Sequence, residues 1–154
     1  MTGLGSCDGD YGLDEIVLIP LPVDRQGGVI VPPGLLVSPH ELATAQRLAV
    51  VGFNVRFNRL SHEPGVKNPD VTIGYQIWEL KSPEGAGKNT IARQFTRAAA
   101  QSDRLVIDTA RSVLDDRVVL QEMRRRLVGA KNFTEVMHVA KNVTATRLTR
   151  RDTL

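Results

Sequence analysis

The chain has 154 residues, 42% hydrophobic and 24% charged, with a formal net charge of +3. That length suits one domain with a real core and excludes two ordinary ones, and the composition excludes disorder through most of the chain. No apolar run reaches the roughly 18 to 20 residues of a membrane span, the N-terminus has no basic-then-hydrophobic signal, and the single cysteine, Cys7, excludes an intrachain disulfide or a thiolate metal cage. The expectation is a soluble, cytoplasmic protein with no signal peptide and no membrane partner.

Residues 1–12 are glycine-rich with little to bury, and are expected to form a flexible lead-in. Between residues 14 and 37 short apolar runs are broken by prolines, which predicts one or two short strands, a strap over the main domain. Residues 1–37 are therefore read as an N-terminal extension and 38–154 as the domain proper. Ser38, Pro39, Glu41 and Gly52 supply cap, first-turn proline, capping-box acid and stop for a helix over 39–51. "FNVRFN" alternates as a half-buried strand, "HEPGVKNP" is a loop, and residues 70–81 form a hairpin. After a second loop, "SPEGAGKN", a helix carries Ile91, Phe95, Ala98 and Ala99 on one side. A buried strand "RLVIDTA", a helix ending at Gly129, a strand "TEVMHVA" and a weak strand with a basic tail complete the chain. This order describes an α/β (α+β) sandwich, a mixed sheet flanked by helices. The basic excess is terminal: residues 111–154 hold ten Lys/Arg against five Asp/Glu, or +5, leaving −2 for the rest.

Gly74 and Tyr75 suit a two-residue turn with glycine first. The pairing then runs Ile73 to Gln76, Thr72 to Ile77, Val71 to Trp78 and Asp70 to Glu79. Val71, Ile73, Trp78 and Leu80 share the core face, while Asp70, Thr72, Ile77, Glu79 and Lys81 share the other. Opposed carboxylates repel, so a cation is expected between Asp70 and Glu79. Lys81 is one candidate. A divalent cation bridges both better, and Mg²⁺ (or Mn²⁺) needs only one or two carboxylates, leaving room for phosphate oxygens. Two carboxylates and a lysine on adjacent strands make a phosphodiester-cleaving arrangement.

With Pro69, Asp70, Glu79, Leu80 and Lys81 after a helix carrying Glu41, the sequence resembles the PD-(D/E)xK nuclease superfamily. The order helix, three strands, helix, strand from about 38 to 109 is similar to its restriction-endonuclease-like core. "ELATAQRLAVVGFNV", "NPDVTIGYQIWELKSP", the helix with Gln94 and "RLVID" together resemble the C-terminal tRNA-nuclease toxin domains of contact-dependent growth inhibition (CdiA) proteins. The resemblance implies metal ligands Asp70 and Glu79, a catalytic Lys81, a further acidic residue Glu41, and Gln94 facing the site. Lys88, Arg93 and Arg97 are the candidate nucleic-acid contacts. The implied activity is Mg²⁺-dependent endonucleolytic cleavage, of tRNA first, by a toxin acting in a target cell's cytoplasm and neutralised by a cognate immunity protein. A DNA endonuclease of phage, repair or restriction type and a non-catalytic binding domain are the alternatives.

Plainer readings stand beside these. Asp70, Glu79 and Lys81 could be an exposed ion pair, worth ~0 to 1 kcal/mol. Ser38 and Glu41 form a capping box that needs no catalysis. Gln94 could be a surface residue. "GAGKNT" fails as a phosphate loop, because Ser82 stands at the first glycine position and Asn89 follows Lys88. Arg124, Arg125 and Arg126 suit the C-terminal end of a helix dipole. His40, His62 and His138 show no metal spacing and are expected on surfaces or loops.

Overall fold

The computed structural model describes residues 12–22 and 25–153, so Cys7 and nearly all of the expected lead-in lie outside the described residues. In chain order come strands β1 (Ile16–Leu21) and β2 (Gly28–Ile30), helix α1 (Pro39–Val51), and strands β3 (Asn54–Phe57), β4 (Val71–Ile73) and β5 (Gln76–Lys81). Helix α2 (Thr90–Ala98), strand β6 (Arg104–Asp108), helix α3 (Asp116–Gly129) and strands β7 (Glu135–Val139) and β8 (Ala145–Arg150) follow. No helix among the described residues is long and apolar enough to cross a membrane.

Local chemistry explains the elements that matter most. Ser38 Oγ accepts from Glu41 N at 3.4 Å and Pro39 occupies the first turn of α1, while Gly52, at φ 123°, ends it. Gly74 adopts φ 63° in the β4–β5 turn, which lets Val71, Thr72 and Ile73 pair with Trp78, Ile77 and Gln76, the predicted register. Asp115 caps α3 by accepting from Arg117 N at 2.8 Å.

The strands form one eight-stranded mixed sheet in the order β1-β8-β7-β6-β5-β4-β3-β2, with β5, β6 and β7 mutually parallel. On one face α1 packs Ala45, Leu48 and Val51 against Val55, Phe57, Val71, Trp78, Leu80 and Val106. On the other, Ile91 and Phe95 of α2 and Val119, Met123 and Leu127 of α3 cover Leu105, Ile107, Val136 and Leu148. The result is an α/β sandwich.

Consecutive strands β1 and β2 sit at opposite edges of this sheet. From Leu21 to Gly28 the chain reaches at most ~25 Å, whereas eight strands laid flat are ~33 Å across. The sheet must therefore curl. Leu21 accordingly shares a groove with Gly52, Phe53 and Ile73 from the far edge. Gly27 is the pinch point: its N–H donates to Ala49 O at 2.7 Å, and a Cβ there would lie 1.8 Å from Phe53 O. The segment expected as a strap is instead built into the sheet. The strand expected to be weak, β8, pairs on both sides with β1 and β7, and its Leu148 is fully buried.

Candidate active site

The glycine turn of the β4–β5 hairpin brings Asp70, just before β4, level with the end of β5. Leu80 N donates to Asp70 Oδ2 at 2.8 Å, which fixes that carboxylate against the neighbouring strand. Glu79 is 5% exposed, and its Oε2 lies 3.3 Å from Lys81 Nζ. Its Oε1 is buried and has no hydrogen-bond partner among the described residues. Burial and the Asp70 charge push Glu79 up to about 7, partly offset by Lys81. Asp70 is raised as well, by burial, although the Leu80 amide and Lys81 draw it down. A buried and a half-buried carboxylate that each perturb the other titrate as a pair, and the pair wants a proton or a cation between them.

This pair lines a cleft of about 370 Å³. Glu41 enters from the first turn of α1, raised by burial and then by the Asp70 charge. Ser38 does cap α1, so Glu41 stands both in the capping sequence and in the cleft. From the opposite side α2 contributes Arg93, Gln94 and Arg97 at helical spacing. Gln94 is buried, not surface-exposed, and its Nε2 donates to Thr90 O at 3.0 Å. Asp70, Glu79, Lys81, Glu41, Gln94, Arg93 and Arg97 thus share one cleft. Lys88 is exposed in the preceding loop and does not line it.

Among the lining residues that the sequence reading did not assign to the site are His40 and Arg111. His40 sits beside Glu41. Arg111, from the loop after β6, stitches the wall that follows Lys81: its Nη2 donates to Ser82 O at 2.6 Å and its Nη1 to Glu84 Oε1 at 2.5 Å. No spacing signals that contact in the sequence. His138 also departs from expectation. It is buried in β7, 3.1 Å from Thr109 Oγ1 and 3.4 Å from Asp116 Oδ1, away from the cleft.

Among the described residues no three His, Cys, Asp or Glu side chains form a metal-holding cluster. An ion held by Asp70 and Glu79 would have only these two protein carboxylates. Mg²⁺ suits such a site, since it keeps several waters and demands few protein ligands. The unpartnered Glu79 oxygen beside Asp70 is what such a cation would satisfy.

The comparisons agree with this architecture. No curated protein sequence matches the chain. A solved chain of the CdiA-CT/CdiI toxin and immunity complex from Burkholderia pseudomallei is similar in fold, with a TM-score of 0.63 and 21% identity, over 80% of this chain and 99% of that one. Residues 67–144, just over half of the chain and including Asp70, Glu79, Lys81, Gln94 and Arg111, match the family model for the contact-dependent growth inhibition CdiA C-terminal domain. On that match, the chain belongs to the contact-dependent growth inhibition CdiA C-terminal domain family.

Proposed function

We propose that this domain is a toxin effector of PD-(D/E)xK type: a Mg²⁺-dependent endonuclease that hydrolyses phosphodiester bonds in tRNA in the cytoplasm of a target cell. The observation that carries this reading is the buried Glu79 oxygen without a partner, held against Asp70 with the Lys81 ammonium at 3.3 Å from its sister atom. Family membership supports the toxin role, and the similar complex from Burkholderia pseudomallei supports a cognate immunity protein as partner.

Asp70 and Glu79 would hold Mg²⁺, which when bound supplies Lewis-acid charge at the scissile phosphate. The chain's own groups do the rest. Lys81 places positive charge where the attacked phosphate gains negative charge, and the exposed Arg93 and Arg97 bind flanking phosphates. Gln94 and Glu41 border the same space and orient the attacking water or the substrate. Water adds its oxygen to phosphorus, the P–O ester bond breaks, and the proton passes to the leaving oxygen. No Phe, Tyr or Trp lines the cleft among the described residues, so backbone charge and shape supply most of the recognition and only His40 offers a ring to a base.

Purified protein incubated with total tRNA or plasmid, in Mg²⁺ or chelator, tests this. Cleavage of tRNA in Mg²⁺ alone, lost in Asp70→Asn, is the expected result. Cleavage that survives chelator would sink the metal mechanism, and cleavage of plasmid alone would move the substrate to DNA.

A further inference from the structure

Beyond the cleft, one buried polar junction ties α1 to the sheet. Asp108, 1% exposed at the end of β6, accepts from Thr44 Oγ1 at 2.7 Å and from Arg47 Nε at 3.1 Å, and binds Ala110 N at 3.0 Å. Arg47 Nη2 also donates to Ala140 O beyond β7 at 2.5 Å. Thr44 lies three residues after Glu41, so both fall on one stripe of α1, and Thr44 is fully buried. The apolar contacts of α1, through Leu42, Ala45, Leu48 and Val51, run along the helix and are non-directional, so they tolerate small rotations. A hydrogen bond and an ion pair on one carboxylate are directional and do not.

We propose that Asp108 is a positioning residue for the cleft: through Thr44 and Arg47 it fixes the rotation of α1 and thereby presents Glu41 to the Asp70–Glu79 pair. The role is distinct from general helix docking, because the junction sits one turn from Glu41 and bonds to a strand adjacent to the one that carries Glu79 and Lys81. Asp108 touches neither substrate nor metal. Its effect on the reaction rests on the nuclease reading, but its effect on Glu41 does not.

The test uses Thr44→Val, which removes the hydroxyl at nearly constant volume, with Thr44→Ser as rescue, since Asp108→Asn risks the fold. In a crystal structure of Thr44→Val the first turn of α1 is expected to rotate and to carry the Glu41 carboxylate away from Asp70. An unmoved Glu41 overturns the proposal whether or not the protein cleaves RNA. Mn²⁺ titration and tRNA cleavage, read well below Tm, supply the second arm. Thr44→Val is expected to weaken Mn²⁺ binding about 3- to 10-fold and to lower kcat about tenfold with KM unchanged, and both losses should vanish in a Glu41→Gln background. Equal losses in the two backgrounds would make the junction merely structural. A wild type that binds Mn²⁺ without cleaving RNA would remove the nuclease reading and leave this inference to the structure and the titration.

Discussion

In the metal-free protein, burial and Asp70 keep Glu79 protonated up to about pH 7, whereas its ordinary value is 4.5. Between those values the folded chain binds more protons than the unfolded one, so the stability this group contributes is full below 4.5 and is lost as pH rises through about 7. Glu79→Gln removes the buried charge. In chelator at pH 8 the variant is expected to melt higher than wild type, by about 1–3 kcal/mol of stability, while cleavage falls at least ~100-fold; thermal melts beside a tRNA assay check both. Mg²⁺ should raise the wild-type Tm more at pH 8 than at pH 5. His138 works in the opposite direction, because burial depresses its imidazole below the usual 6.5 despite the nearby Asp116. Stability is therefore lost as pH falls below about 6.5, and replacing His138 with Gln should flatten that acid limb in melts at pH 4.5 to 7. At this scale the sequence disclosed that Asp70, Glu79 and Lys81 gather at one end of the hairpin, because a two-residue turn sets the register locally, although the paired ladder ends at Val71 and Trp78, one step short of the expected Asp70–Glu79 pair. It could not disclose Arg111, whose partner Ser82 lies 29 residues away, or the burial of His138, which depends on sheet neighbours.

Among the elements, α1 and the β4–β5 hairpin were legible because caps and turn residues mark them. The hairpin depends on the positive φ of Gly74, and nothing crowds that position. Gly74→Ala is therefore expected to cost only the left-handed backbone strain, about 1–2 kcal/mol, with Gly74→Asn milder. A shift in urea midpoint with unchanged slope would check it, and a change in slope would point to a lost hairpin register instead. Strand β8 was underread because its alternation, "ATRLTR", is polar on one face, and only the partners β1 and β7 show that it is internal. Helix α2 was expected to carry Ala99 on its apolar side but stops at Ala98, where Ala98 O accepts from Gln101 N and Ser102 N and turns the chain into β6.

For the whole molecule, the feature no local pattern could disclose is that residues 16–30 supply both rims of the sheet. Strand pairings across more than 100 positions leave no periodic trace. Closure runs through Gly27, so Gly27→Ala is expected to force the backbone of Gly27 and Phe53 apart and cost about 1–3 kcal/mol. Amide hydrogen exchange should quicken at Gly28, Val29 and Ile30 and leave β6 and β7 protected. The pairing of β1 with β8 carries a mechanical corollary. Ile16 lies opposite Arg150 and Leu21 opposite Ala145, so tension applied through residues 16 and 150 loads the ladder at one end and opens it a rung at a time. That ladder thus yields to a pull like a zipper, and the strand released first, β1, is one of the two that hem the sheet.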